Sequence, residues 1–209
     1  DIAKSLGAKE KEIYFTSGGT ECNNTIIRGI TSLNKKRKNH IISTNIEHPS
    51  VLNTLKDLEE DGFEVTYLEV GKDGKINIED LKNAIKSTTC LVSMMHVNNE
   101  IGTIQPIGEV GKYLKGLKEK IYFHVDAIQS YGKINFRLSK YNIDTSNNGF
   151  KYSTEIPYLE NDIRSMFINY MEKYSTKLLS ISSVTHSDYT SNEIFKVINP
   201  KIYYDVEHS

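Results

Sequence analysis

Cysteine is scarce in this chain. Its 209 residues hold two, Cys22 and Cys90, too few for a disulfide framework or a metal-ligand cluster. That shortage predicts a reducing, cytoplasmic setting. An excess of either charge is also missing: 26 Lys and Arg stand against 27 Asp and Glu, a formal net charge of -1. This argues against the basic surface of a nucleic-acid binder and against an acidic tail. No apolar run approaches the ~20 residues of a membrane span, and no basic segment leads into an apolar one as in a secretory signal. Neither nucleic acid nor membrane is therefore expected as a partner. There is no internal repeat and no low-complexity tract. The chain opens on Asp1 rather than Met, so it is expected to begin inside a longer protein. Glycine runs out late: of 13, only Gly149 follows Asp144, whereas seven of the 13 tyrosines lie in the last 65 residues. This shift divides the chain into residues 1–144 and a different segment, 145–209.

The first segment alternates strand and helix signals. Strands are predicted at Glu12–Thr16, His40–Thr44, Phe63–Leu68, Cys90–Met95 and Ile121–Val125. Helices are predicted from Thr20 to about Leu33, from His48 to about Glu60, and over Ile78–Lys86 and Ile107–Leu117. Strands separated by helices imply βαβ units and a mainly parallel sheet. The strands are near-continuous apolar runs, as when helices cover both faces. The fold class is thus α/β. In the second segment Leu159–Lys177 has an amphipathic helical spacing, and Val197–Tyr204 a strand-like run broken by Pro200. No βαβ rhythm continues there.

In open α/β sheets ligands sit at the carboxyl ends of the strands, and here that is where the unusual residues fall. After the first strand comes Thr16-Ser17-Gly18-Gly19-Thr20-Glu21. Small residues, a hydroxyl and a helix N-terminus outline a phosphate site; the same residues also suit a plain turn and N-cap. After the second comes Glu47-His48-Pro49-Ser50, whose histidine either stacks on a planar ligand and moves protons or merely opens a helix. His96-Val97-Asn98-Asn99-Glu100-Ile101-Gly102-Thr103 follows the fourth strand, with amides that bind a ligand or hold the loop as Asx turns. Asp126-Ala127-Ile128-Gln129-Ser130 follows the fifth. An aspartate at the end of a buried strand is costly unless paired. Its partner is a metal, a protonated ring nitrogen, an N-cap or a salt bridge.

Four motifs, FTSGGTECNN (Phe15–Asn24), EHPSV (Glu47–Val51), HVNNEIGTIQPI (His96–Ile107) and FHVDAIQSYGKI (Phe123–Ile134), occur in this order over about two-thirds of the chain. Together they resemble pyridoxal-phosphate enzymes of the class V aminotransferase superfamily, of fold-type I, and within it cysteine desulfurases of the iron–sulfur assembly type. The resemblance implies roles. Gly19 and Thr20 would hold the phosphate of pyridoxal 5′-phosphate. His48 would stack on its ring and serve as the catalytic proton carrier. Asn99 would lie beside cofactor and substrate, Asp126 would pair with the pyridine nitrogen, and Gln129 would bond the phenolic oxygen. Residues 1–144 would be part of the pyridoxal-phosphate-binding large domain. The substrate would be L-cysteine or a related amino acid. Alanine would leave, and a protein persulfide would carry sulfur to an acceptor or iron–sulfur scaffold protein. Family members are homodimers.

The second segment departs from that pattern. The family carries a Ser-x-His-Lys stretch soon after the position of Asp144, and its lysine holds the cofactor. Here the chain reads Asp144-Thr145-Ser146-Asn147-Asn148-Gly149-Phe150-Lys151. Lys151 is one residue short of the expected place, so both a displaced cofactor lysine and a surface lysine are open. Leu178–Ser182 echoes the strand that leads into the family's lysine. No segment resembles the family's persulfide loop, and Cys22 and Cys90 have the settings of core thiols. The chain is therefore expected to be truncated and divergent after about residue 145. Two functions stand side by side: a cysteine-desulfurase-like enzyme, and a non-catalytic relative that is a cofactor-binding or interaction module or a non-functional remnant.

Overall fold

A computed structural model describes residues 2–135, 137–148 and 179–182. Its centre is a seven-stranded sheet with every pairing parallel. The strands are β1 (Ile13–Thr16), β2 (His40–Thr44), β3 (Glu64–Leu68), β4 (Thr89–Met95), β5 (Tyr122–Asp126), β6 (Thr145–Asn147) and β7 (Leu179–Ser182), in the order β1-β7-β6-β5-β4-β2-β3. The helices are α1 (Ile2–Leu6), α2 (Gly19–Asn34), α3 (Pro49–Glu60), α4 (Ile78–Ala84), α5 (Ile107–Gly116) and α6 (Leu138–Tyr141). The expected mainly parallel α/β sheet is present, with its predicted elements displaced by no more than a residue or two at most ends. The expected helix Leu159–Lys177 and strand Val197–Tyr204 lie outside the described residues, as does Lys151.

Both faces of the sheet are covered. Successive strand residues point to opposite sides, and the core divides accordingly. Ile41 and Leu91 pack with Cys22, Ile26, Ile27 and Ile30 of α2 and Val51, Leu55 and Leu58 of α3. Their neighbours Ile42 and Val92 pack on the other side with Leu81 of α4, Ile107, Val110 and Leu114 of α5, and Leu138 of α6. All residues of β2 and β4 are buried, which explains why they carry no polar alternation. At Gly111 a Cβ would lie 1.8 Å from the Tyr141 carbonyl oxygen, so only glycine lets α5 approach α6 this closely. Among the described residues no helix is long and apolar enough to cross a membrane.

Two strands beyond residue 144 join the same sheet, and periodicity marks neither. β6 is three residues long and largely polar, so it has no periodicity to read. β7 (Leu179–Ser182) falls within the Leu178–Ser182 stretch that echoes a strand of the family. It lies between β6 and β1 and is the element through which β1 joins the sheet.

Candidate functional site

The sheet's carboxyl edge is built by register. Met95 stands opposite Asp126, and Asp126 opposite Asn147. The segments leaving β1, β2, β4 and β5 at this edge enclose a cleft of about 270 Å³. It is lined by Gly19, Thr20, His48, Ser50, Met95, Val97, Asn99, Asp126, Ile128 and Gln129. The six residues singled out in the sequence are therefore brought together on one cleft. They come from four loops separated by up to 110 positions.

Each wall has a local cause. Gly18 is the N-cap of α2 and supplies no side-chain cap, so the first-turn N–H groups of this helix lack intrahelical acceptors and form an anion-attracting end. Glu21 closes the preceding turn by accepting from the Ser17 N–H and Ser17 Oγ, each at 2.6 Å. A Cβ on Gly19 would sit 2.4 Å from Ile128 Cδ1 and 3.1 Å from Asn147 Nδ2, so the cradle exists because residue 19 has no side chain. His48 is the N-cap of α3. Its Nδ1 accepts from the Ser50 N–H at 3.1 Å, and Pro49 follows at a position where a missing N–H costs nothing.

In the loop after β4 the two adjacent asparagines separate by role. Asn98 is the structural one. Its Oδ1 accepts from the N–H groups of Glu100 and Ile101, and its Nδ2 donates to the Ile46 carbonyl at 3.1 Å. Asn99 is exposed on the cleft. Gln129 Oε1 accepts from Lys133 Nζ at 3.1 Å, which leaves its Nε2–H groups as donors.

Asp126 is 7% exposed. Burial pushes its carboxyl above the ordinary range, opposed by hydrogen bonds from Asn23 Nδ2 at 2.8 Å and the Ile128 N–H at 3.1 Å and by the charge of His48. Behind it Glu47 is buried, and desolvation raises its carboxyl to about 8. Glu47 Oε1 accepts from Thr44 Oγ1 at 2.6 Å and the Met95 N–H at 2.9 Å. Its Oε2 is buried and makes no hydrogen bond among the described residues, as suits a neutral acid.

Three polar residues of this region were given no role from the sequence: Asn23 and His124, which lie inside two of the four motifs, and Asn147, which lies outside them. Asn23 is fully buried inside α2. Its Nδ2 donates to Asp126 Oδ2 and to Ser50 Oγ, and its Oδ1 meets His124 Nε2 and Asn147 Nδ2, all between 2.8 and 3.1 Å. The available signal was an asparagine, a poor helix former, three positions beyond Thr20 on a helix whose other buried residues, Thr31 apart, are apolar. Both cysteines are buried, and burial raises the Cys90 thiol to about 11. Among the described residues no three His, Cys, Asp or Glu side chains are grouped to hold a metal.

The cleft fits a phosphorylated pyridine ring. It pairs a side-chain-free helix N-terminus with a buried carboxylate, and it is open between them. A family model described as aminotransferase class-V matches residues 1–149. Cysteine desulfurase IscS of Clostridium botulinum (strain Hall) is 50% identical over 143 residues, 68% of this chain and 36% of that protein. The mitochondrial cysteine desulfurase of Candida albicans is 51% identical over 143 residues, 68% of this chain and 29% of that one. Among solved structures, a NifS-like protein matches with a TM-score of 0.66 at 43% identity, covering 68% of this chain and 39% of its own. SspA in complex with cysteine matches with a TM-score of 0.65 at 43% identity, covering 68% and 41%. The chain spans about a third of the length of these curated relatives.

Proposed function

Because the chain belongs to the aminotransferase class-V family, we propose that its cleft binds pyridoxal 5′-phosphate and that residues 1–144 are the cofactor-binding part of a cysteine desulfurase acting on L-cysteine. One observation carries this reading: Gly19, Thr20, His48, Asn99, Asp126 and Gln129 line the same cleft. The family-model match over residues 1–149, which include all six, supports it, as does the 50% identity to cysteine desulfurases. Sulfur delivery to an acceptor or iron–sulfur scaffold protein, homodimer assembly and a cytoplasmic location belong to the same proposal.

When bound, pyridoxal phosphate supplies an electron sink for the pair left at an amino acid's α-carbon. The chain's residues bind and orient. The N-terminus of α2 at Gly19 and Thr20, with the Thr20 hydroxyl, holds the phosphate. The Asp126 carboxylate holds a proton on the pyridine nitrogen, because a nearby anion favours the charged ring. The Nε2–H groups of Gln129 donate to the phenolic oxygen. His48 packs on the ring and carries a proton to or from the amino acid. Asn99 orients the substrate beside the ring.

A second reading is favoured by a specific feature. Sulfur transfer through a protein persulfide needs a mobile, ionisable thiol, and the chain's two cysteines are both buried. On this reading the chain binds the cofactor without turning cysteine over by itself.

One experiment separates the two. The full chain is titrated with pyridoxal phosphate, reduced with borohydride, and assayed for alanine and sulfide from L-cysteine against a cofactor-only blank. Saturable binding lost in Asp126→Ala supports the site. Product above the blank supports the desulfurase, and binding without product selects the second reading. The absence of saturable binding overturns both.

A further inference from the structure

The buried hydrogen bonds behind the cleft run in one direction. Asn23 Oδ1 faces two nitrogens, His124 Nε2 at 3.1 Å and Asn147 Nδ2 at 3.1 Å. Asn147 Nδ2 also donates to the Gly19 carbonyl at 3.0 Å, which identifies it as the NH₂ end of its amide. Burial keeps the His124 ring neutral, lowering it to about 3. Its Nδ1 lies 3.1 Å from Thr145 Oγ1. With Asn23 Oδ1 an acceptor only, His124 carries its proton on Nε2 and accepts from the Thr145 hydroxyl. The Asn23 amide is thereby locked, and both of its N–H bonds point toward the cleft.

Those two bonds reach two cleft residues. One goes to Asp126 Oδ2 at 2.8 Å. The other goes to Ser50 Oγ at 2.9 Å, so the Ser50 proton is free to point to His48 Nδ1, 2.8 Å away. The Ser50 backbone N–H donates to the same nitrogen. Nδ1 therefore accepts, and the tautomer this geometry selects for the uncharged ring is Nε2–H.

We propose that Asn23 is a positioning residue with two arms: it holds Asp126 as the anion that faces the pyridine nitrogen, and by donating to Ser50 Oγ it turns the Ser50 hydroxyl onto His48 Nδ1. Asn23 is fully buried and does not line the cleft. It acts through its two neighbours, and through Asn147 it joins them to the Gly19 cradle. This inference rests on the pyridoxal-phosphate reading of the cleft.

The test uses the full chain and pyridoxine 5′-phosphate, which lacks the aldehyde and so reports the ring without a lysine adduct. The ultraviolet bands of its hydroxypyridine give the pH at which the bound ring nitrogen loses its proton. In Asn23→Ala this midpoint should fall by about one pH unit and affinity at neutral pH by about tenfold, the order expected for one hydrogen bond to a charged group. In Ser50→Ala the midpoint should stay, because the Asp126 arm is intact. An unchanged midpoint in folded Asn23→Ala overturns the inference and leaves the cofactor reading standing. Failure of the wild-type chain to bind either pyridoxine or pyridoxal phosphate overturns the reading and the inference with it. If Asn23→Ala does not fold, nitrogen NMR of the wild-type chain decides. A pyridine-type Nδ1 on His48, with Asn23 side-chain resonances that shift when pyridoxine phosphate binds, supports the inference. A protonated Nδ1 or static Asn23 resonances overturn it.

Discussion

Replacing Glu47 by glutamine should change how stability depends on pH, in a direction the structure dictates. Glu47 sits between the ends of β2 and β4, behind Asp126. Its Oε1 already accepts from Thr44 and Met95, and its Oε2 has no hydrogen-bond donor among the described residues. Desolvation therefore raises it from 4.5 to about 8. At pH 7 the native side chain is the neutral acid while the unfolded one is ionised. The native state thus holds one more proton between pH 4.5 and 8, and stability falls as pH rises across that window. At about 1.4 kcal/mol for each pH unit crossed, the whole window is worth at most about 5 kcal/mol, a large share of the roughly 5–15 kcal/mol that holds a domain folded. Asp126 is raised as well and adds to the same arm. His96, lowered to about 4, and His124, lowered to about 3, act oppositely, because burial keeps them neutral where the unfolded chain charges them. Their contribution is lost as pH falls below their ordinary range near 6.5.

Glutamine preserves the acceptor for Thr44 and Met95 and cannot ionise. Urea unfolding of the full chain, followed by circular dichroism at intervals from about pH 5 to about pH 8, should show wild type losing several kcal/mol more than Glu47→Gln. The pH of maximum stability should move upward in the variant. Parallel curves for the two proteins would refute the argument. So would the absence, at pH 7, of a protonated-carboxyl infrared band that disappears in Glu47→Gln.

Gly19→Ala places a methyl 2.4 Å from Ile128 Cδ1. The flexible end of Ile128 must swing, so calorimetric affinity for pyridoxal phosphate should fall about tenfold while the free energy of urea unfolding falls by only about 1 kcal/mol. Gly111→Ala is the contrasting case, because its methyl would meet the Tyr141 backbone oxygen at 1.8 Å. Overpacking against backbone should cost about 3 kcal/mol or more in the same unfolding measurement. Cys22 and Cys90 are buried, and Cys90 is raised to about 11. A thiol reagent at pH 8 should label neither in the native chain and both in urea; rapid native labelling would contradict the burial.

How far the fold could be read depended on what periodicity reports. β4 is a seven-residue, mostly apolar run and β2 and β5 are five-residue runs rich in β-branched and aromatic residues, so their existence could be read from the sequence and the alternation with helices implied parallel pairing. β6 is Thr-Ser-Asn, with no apolar pattern to detect, and β7 became a strand because it fits between β6 and β1. Neither follows from local sequence; pairing between distant segments decides both. The cleft divides in the same way. Gly19, Thr20, His48, Asn99, Asp126 and Gln129 were legible because each stands at a strand end, where polar residues in short motifs have no packing reason to be there. Asn23 and His124 were not, since each lies inside an element and looks like an ordinary helix or strand residue, and Asn147 was not, since β6 has no pattern that shows where that strand ends. Only the structure brings Asn23, 101 positions from His124 and 103 from Asp126, into contact with both. A strand-end motif can therefore name the groups that line a cleft. The charge and hydrogen bonding of those groups are set one layer deeper, by a buried amide that serves His48, Asp126 and the Gly19 turn together.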